Sequence, residues 1–76
     1  MRSTRGDIGT RIRVARKLAG VRVRDICEAL GVVPMTVYRW EQGKHRASLE
    51  SLEAVADYLR VSRAWLLTGE GEARAA

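Results

Sequence analysis

The chain has 76 residues, 46% of them hydrophobic but only 5% aromatic, with no Phe and a formal net charge of +5. That length supports one small domain whose core is built from Leu, Val, Ile and Ala. No apolar run reaches the roughly eighteen residues that would span a membrane, and the opening MRSTRGDIGTR lacks the apolar stretch of a secretion signal. Cys27 is the only cysteine, so an internal disulfide is excluded and a cytoplasmic, nucleoid-associated location is expected.

Residues 1–6 show no periodicity and are expected to form a flexible basic arm, either frayed or reaching into a minor groove. Asp7 suits an N-cap for a helix over Ile8–Ala19. Ile8, Ile12, Ala15 and Ala19 would share its inner face, with Leu18 beside them and Arg11, Arg13 and Lys17 outside. Gly20 would end it. A second helix is predicted over Val23–Leu30, burying Ile26, Cys27 and Leu30, with Arg24 and Glu28 spaced as an i,i+4 pair.

Gly31 to Gly43, GVVPMTVYRWEQG, carries the most information. Pro34 suits the first position of a helix, where its missing N–H costs nothing, and Gly43 suits the residue just past a helix end. Two helices separated by about three residues with Gly in the turn form the helix-turn-helix pattern, whose second helix can enter a DNA major groove. The helix over Pro34–Gln42 has two faces. Val33, Val37 and Trp40 share one, with Glu41 at its edge; Met35, Tyr38, Arg39 and Gln42 share the other. The second set can hydrogen-bond and touch thymine methyls, although an ordinary amphipathic surface helix has the same period.

Lys44–Ala47 is expected as a short polar loop. Ser48 is an N-cap, with Glu50 in the first turn, for a helix to about Arg60 whose stripe is Leu49, Leu52, Val55, Ala56 and Leu59. Ser62 caps a last helix, Arg63–Thr68, which Gly69 stops. Residues 70–76 read as a disordered tail, leaving 7–69 as the domain. No strand alternation is present, so the fold class is all-α.

Charge is uneven. Through Arg24 there are eight cations against Asp7 alone; from Asp25 onward there are six cations and eight anions. A basic first third is a footprint for a polyanion, or simply a solvated face. His45, between Lys44 and Arg46, reads either as a phosphate contact or as a solvated loop residue. Cys27 reads as core packing rather than a redox switch. One His and one Cys cannot assemble a four-ligand zinc set, so no metal is expected. Ser48 and Ser62 read as caps, no Gly-rich phosphate loop is present, and neither a cofactor nor an enzyme activity is expected. Trp65, Leu66 and Leu67 crowd one short helix, so part of that surface is a candidate for dimerisation, against plain packing onto the preceding helix.

Gly9–Lys17 (GTRIRVARK), Leu30-Gly31-Val32, the run Thr36–Lys44 (TVYRWEQGK), Ser48–Leu52 (SLESL) and Trp65–Gly69 (WLLTG) together resemble the lambda-repressor-like (Cro/repressor, XRE) helix-turn-helix family. The resemblance covers roughly Ile8–Gly69. It implies a compact bundle of five short helices that binds double-stranded operator DNA, usually as a homodimer, with the Pro34–Gln42 helix reading bases through Met35, Thr36, Tyr38, Arg39 and Gln42. It further implies a structural salt bridge between Arg16 and Glu41, and phosphate contacts from Arg11, Arg13, Arg22, Arg24, Lys44, His45 and Arg46. Two departures stand out. Relatives often carry Ser then Gln where this chain has Arg22 and Val23, so grip there would come from charge. Val33, Pro34 and Met35 replace the usual polar opening of the reading helix, and Val33 lacks a cap worth roughly 1 kcal/mol.

The sequence therefore points to a dimeric, sequence-specific transcriptional repressor of a phage or bacterial operator. The rival readings are an antitoxin that binds DNA and a toxin, and a protein-interaction module of the same fold. A toxin or antirepressor is a possible protein partner, and no membrane is involved.

Overall fold

The computed structural model describes residues 6–74, with side chains from residue 8 onward. Five helices follow in order: α1 (Gly6–Leu18), α2 (Val23–Leu30), α3 (Pro34–Gln42), α4 (Leu49–Leu59) and α5 (Arg63–Thr68). Among the described residues the only β pairing is an isolated antiparallel bridge between Val61 and Arg74. The basic arm expected before the domain lies outside the described residues, apart from Gly6.

Local chemistry accounts for most boundaries. α1 already includes Gly6, so Asp7 sits inside the helix rather than capping it, and its side chain lies outside those described. Arg22, at the N-cap of α2, has no side-chain oxygen to offer. Asp25 instead accepts the Arg22 backbone N–H at 2.9 Å, which is half of a capping box. Val33 makes no side-chain cap to α3, and Pro34 opens it. Gly31 and Gly43, at φ 74° and 75°, end α2 and α3 in the left-handed region, where a side chain would be strained. Ser48 and Ser62 accept the backbone N–H groups of Ser51 and Trp65, each at 3.1 Å. Arg60 ends α4 at φ 60°, one residue earlier than the apolar period suggests.

The core draws on every helix: Ile12 and Ala15; Val23, Ile26 and Cys27; Val37 and Trp40; Leu52, Val55, Ala56 and Leu59; and Leu66. Loop residue Ala47 joins it, although the loop reads as polar. Three residues assigned to inner faces are exposed. Val33 (62%) precedes the first turn of α3, Leu49 opens α4, and Ala19 lies beyond the end of α1. Residues 70–74, read from sequence as part of a disordered tail, turn back across the α4–α5 joint. There Ser62 N–H donates to the Ala73 carbonyl at 2.7 Å.

Candidate nucleic-acid interface

A helix that reads another molecule needs a fixed pose, and α1 supplies it to α3 through residues on one side. Gly9 and Arg16 lie about two turns apart and so face the same way. A Cβ at Gly9 would fall 2.7 Å from the Glu41 carbonyl oxygen and press on the Trp40 carbonyl oxygen. Only the bare glycine lets the α1 backbone approach the last turn of α3 this closely. Nothing in the hydrophobic period flags Gly9, because a glycine adds nothing to an apolar stripe.

Two turns on, the Arg16 guanidinium grips Glu41 with two bonds, Nε to Oε2 at 2.7 Å and Nη2 to Oε1 at 3.1 Å. Its Nη1 donates to the Val21 carbonyl at 3.3 Å, so the same side chain ties down the chain entering α2. The pair is largely out of solvent, with side-chain exposures of 14% for Arg16 and 6% for Glu41. The hydrogen bond to Glu41 raises the Arg16 pKa above its ordinary value, outweighing desolvation. Such a charged, bidentate contact fixes an angle between elements more than it adds net stability.

With α3 held on its inner side, Val37, Trp40 and Glu41 are buried. Met35, Tyr38, Arg39 and Gln42 are exposed, and Thr36 is half-buried between the two sets. The outward face thus offers a thioether, a phenol, a guanidinium and an amide from one rigid helix. The Arg39 side chain makes no hydrogen bond or ion pair among the described residues, so its guanidinium donors are uncommitted.

The phosphate candidates divide into three groups. Arg13, Arg24, Lys44, His45 and Arg46 are exposed and unpaired among the described residues; the spacing of Arg24 and Glu28 produces no ion pair. Arg22 is exposed, but Asp25 engages its guanidinium through Nε to Oδ2 and Nη2 to Oδ1, each at 3.3 Å. Asp25 is held below the usual carboxylate range, first by the Arg22 backbone N–H and then by its guanidinium. Arg22 is therefore a half-committed cation rather than a free one.

Arg11 belongs elsewhere. Its Nε donates to the Leu66 carbonyl at 2.9 Å and its Nη2 to the Leu67 carbonyl at 3.2 Å. These are carbonyls of the last turn of α5, which have no partner within the helix. The Arg11 guanidinium thus caps α5 from α1, which commits two of its donors away from a phosphate. The sequence shows a cation on the outer face of the first helix but not which helix end lies beside it.

Of the three dimerisation candidates, one is enclosed by the fold. Leu66 is 1% exposed in its own core and has no surface to offer a partner. Trp65 and Leu67 are half-buried against that core. The Arg63–Asp57 pair, missed in the sequence, spans the α4–α5 joint with Nη2 to Oδ2 at 2.6 Å and Nε to Oδ1 at 3.0 Å. No group of three or more His, Cys, Asp or Glu side chains among the described residues is placed to hold a metal. No described helix is long and apolar enough to cross a membrane.

A family model described as a helix-turn-helix domain matches residues 7–67. The chain is similar to the repressor protein CI of Enterobacteria phage phi80, at 34% identity over 64 residues, which is 84% of this chain and 27% of that protein. It thus spans about a quarter of the phage repressor's length. In three dimensions it is similar to the clp gene regulator ClgR from Corynebacterium glutamicum. One crystal structure of that regulator superposes with a TM-score of 0.78 at 31% identity, covering 88% of this chain and 87% of that one. A second gives a TM-score of 0.79 at 32% identity, covering 87% and 70%.

Proposed function

We propose that this chain, which belongs to the lambda-repressor-like (XRE) helix-turn-helix family, binds double-stranded DNA as a transcription regulator with α3 in the major groove. The observation that carries the reading is the division of α3. Its buried residues lock it to α1, while Met35, Tyr38, Arg39 and Gln42 stand free on one outward face. An α-helix fits the major groove of B-DNA, and an arginine there can donate two bonds to O6 and N7 of guanine.

Arg39 is the side chain assigned to guanine, Gln42 and Tyr38 are hydrogen-bonding readers, and Met35 suits a thymine methyl. Thr36, half-buried, has less of its side chain to offer the groove. Arg13, Arg24, Lys44, His45 and Arg46 supply phosphate contacts, which position the protein without reading sequence. The likeness to a phage repressor supports repression as the outcome, by occupation of an operator. Binding as a twofold homodimer to an inverted repeat puts the two half-sites about one helical turn, ~34 Å, apart.

The test starts with selection of bound sites from a random DNA pool. Wild type and Arg39→Ala are then titrated against the selected site changed at each base in turn. The expected result is a loss of roughly 1–3 kcal/mol at one guanine per half-site, with non-specific binding kept. If the variant weakens every sequence equally and retains the wild-type base preferences, Arg39 contacts phosphate and the assignment fails.

A further inference from the structure

The opening of α3 gives up stability with no return inside the fold. Val33 holds the N-cap position, in extended backbone at φ −90° and ψ 157°, yet makes no side-chain cap. A Ser or Thr there would satisfy one of the unpaired helix N–H groups. Val33 is also 62% exposed, and Met35, two residues on, is 55% exposed. Pro34, between them, is exposed and has neither a polar side chain nor a backbone N–H. Three consecutive side chains at this end therefore offer a partner apolar contact and at most the weak thioether acceptor of Met35.

In the major groove each base pair is marked by hydrogen-bond donors and acceptors, with one apolar exception, the C5-methyl of thymine. A cytosine methylated at C5 presents the same group at the same place. Met35 and Arg39 share the outward face of α3, four residues and so about 6 Å apart along its axis. Base pairs are stacked about 3.4 Å apart, so the two side chains reach pairs within about two steps of each other. The uncommitted Arg39 guanidinium on the same face suits DNA as the partner better than it suits an apolar protein surface.

We infer that Val33 and Met35 detect the C5-methyl of a pyrimidine beside the guanine assigned to Arg39. This chain then accepts 5-methylcytosine at that step as it accepts thymine, and discriminates against uracil and unmethylated cytosine. Its binding responds to methylation of the site with no change in base sequence. This deepens the DNA reading above, on which it rests.

The experiment starts from the site selected by wild type and replaces each thymine in turn by uracil, which removes the methyl and keeps the base pairing. One replacement per half-site, within about two base pairs of the Arg39 guanine, should weaken binding about fourfold, the worth of burying one methyl-sized group. Cytosine at that position should bind weakly, and 5-methylcytosine should recover about fourfold. Met35→Ala should shrink both differences while keeping the guanine preference and the salt slope. Val33→Ser should shrink them too while raising the melting temperature, since it restores a cap. The inference is overturned if the selected site has no thymine in reach, or if uracil and thymine bind alike there. It is also overturned if the difference survives both substitutions, which would assign the methyl to another residue such as Tyr38. Those outcomes leave an Arg39-dependent guanine preference standing, whereas a chain that binds no DNA overturns the DNA reading and this one together.

Discussion

Arg16 and Glu41 show how a single pair of residues can matter more for geometry than for stability. Removing one partner leaves a charge in a nearly dry setting, so Glu41→Ala should lower stability by about 3 kcal/mol, read from urea unfolding. The double change Arg16→Met with Glu41→Leu should cost much less, since apolar groups of similar volume replace a buried pair at little net expense. An additive loss in the double variant would show that the two side chains act separately. The exposed carboxylates Asp25 and Asp57 make a separate, pH-dependent contribution. Each has a folded-state pKa below its ordinary value of 3.8; Asp25 is held first by the Arg22 backbone N–H, and Asp57 by its hydrogen bond to Arg63. A depressed folded pKa adds stability above the unfolded value, and that stability is lost as pH falls through the folded one. Melting temperature should therefore drop below about pH 4, and Asp25→Asn with Asp57→Asn should flatten that drop. At this scale the sequence was readable where residues carry both a type and a fixed spacing, as Arg16 and Glu41 do through the family resemblance. Asp57 and Arg63 were not, since their pairing depends on how α4 turns into α5.

Each helix end was legible when its chemistry was local. Ser48, Ser62, Pro34 and Gly43 announce their positions because capping needs only a side-chain oxygen or a tolerated φ. Arg60 did not, because nothing about arginine favours the left-handed conformation it adopts. Contacts between helices were harder still. Gly9 and Arg11 are two residues apart on α1 yet serve different neighbours, α3 and α5. Gly9→Ala should destabilise the protein by about 1–3 kcal/mol, because both the added methyl and the carbonyls it meets are on backbone. Its greater helix propensity offsets only part of that. The variant should also lose operator affinity beyond what unfolding explains; full affinity at unchanged stability would mean the helices simply slide apart. Arg11→Ala should lower stability by about 1–2 kcal/mol through the uncapped α5 carbonyls. Its slope of log K against log salt should match wild type, whereas Arg24→Ala should flatten that slope by about one. A flattened slope for Arg11→Ala would return it to the phosphate set.

Across the whole molecule, composition set the boundaries and the fold redistributed the charge within them. The basic first third suggested one cationic face, yet Arg11 turns to α5, Arg16 is nearly buried against Glu41, and Arg22 is shared with Asp25. The exposed, uncommitted cations proposed to meet DNA come from α1, α2, α3 and the loop after α3, which a count along the chain could not resolve. The all-α class was legible because each apolar stripe keeps one period. The exposed Leu18 was not, since its stripe extends past the point where α1 meets the core. The division of α3 has a consequence for how such proteins diversify. Met35, Tyr38, Arg39 and Gln42 share no position with the buried set Val37, Trp40 and Glu41. On the proposed reading, preference for one DNA sequence and the ability to fold are written in separate letters of the same helix. A library randomised at the four outward positions should yield mostly folded proteins with different targets, and a lineage can acquire a new operator without passing through an unstable intermediate.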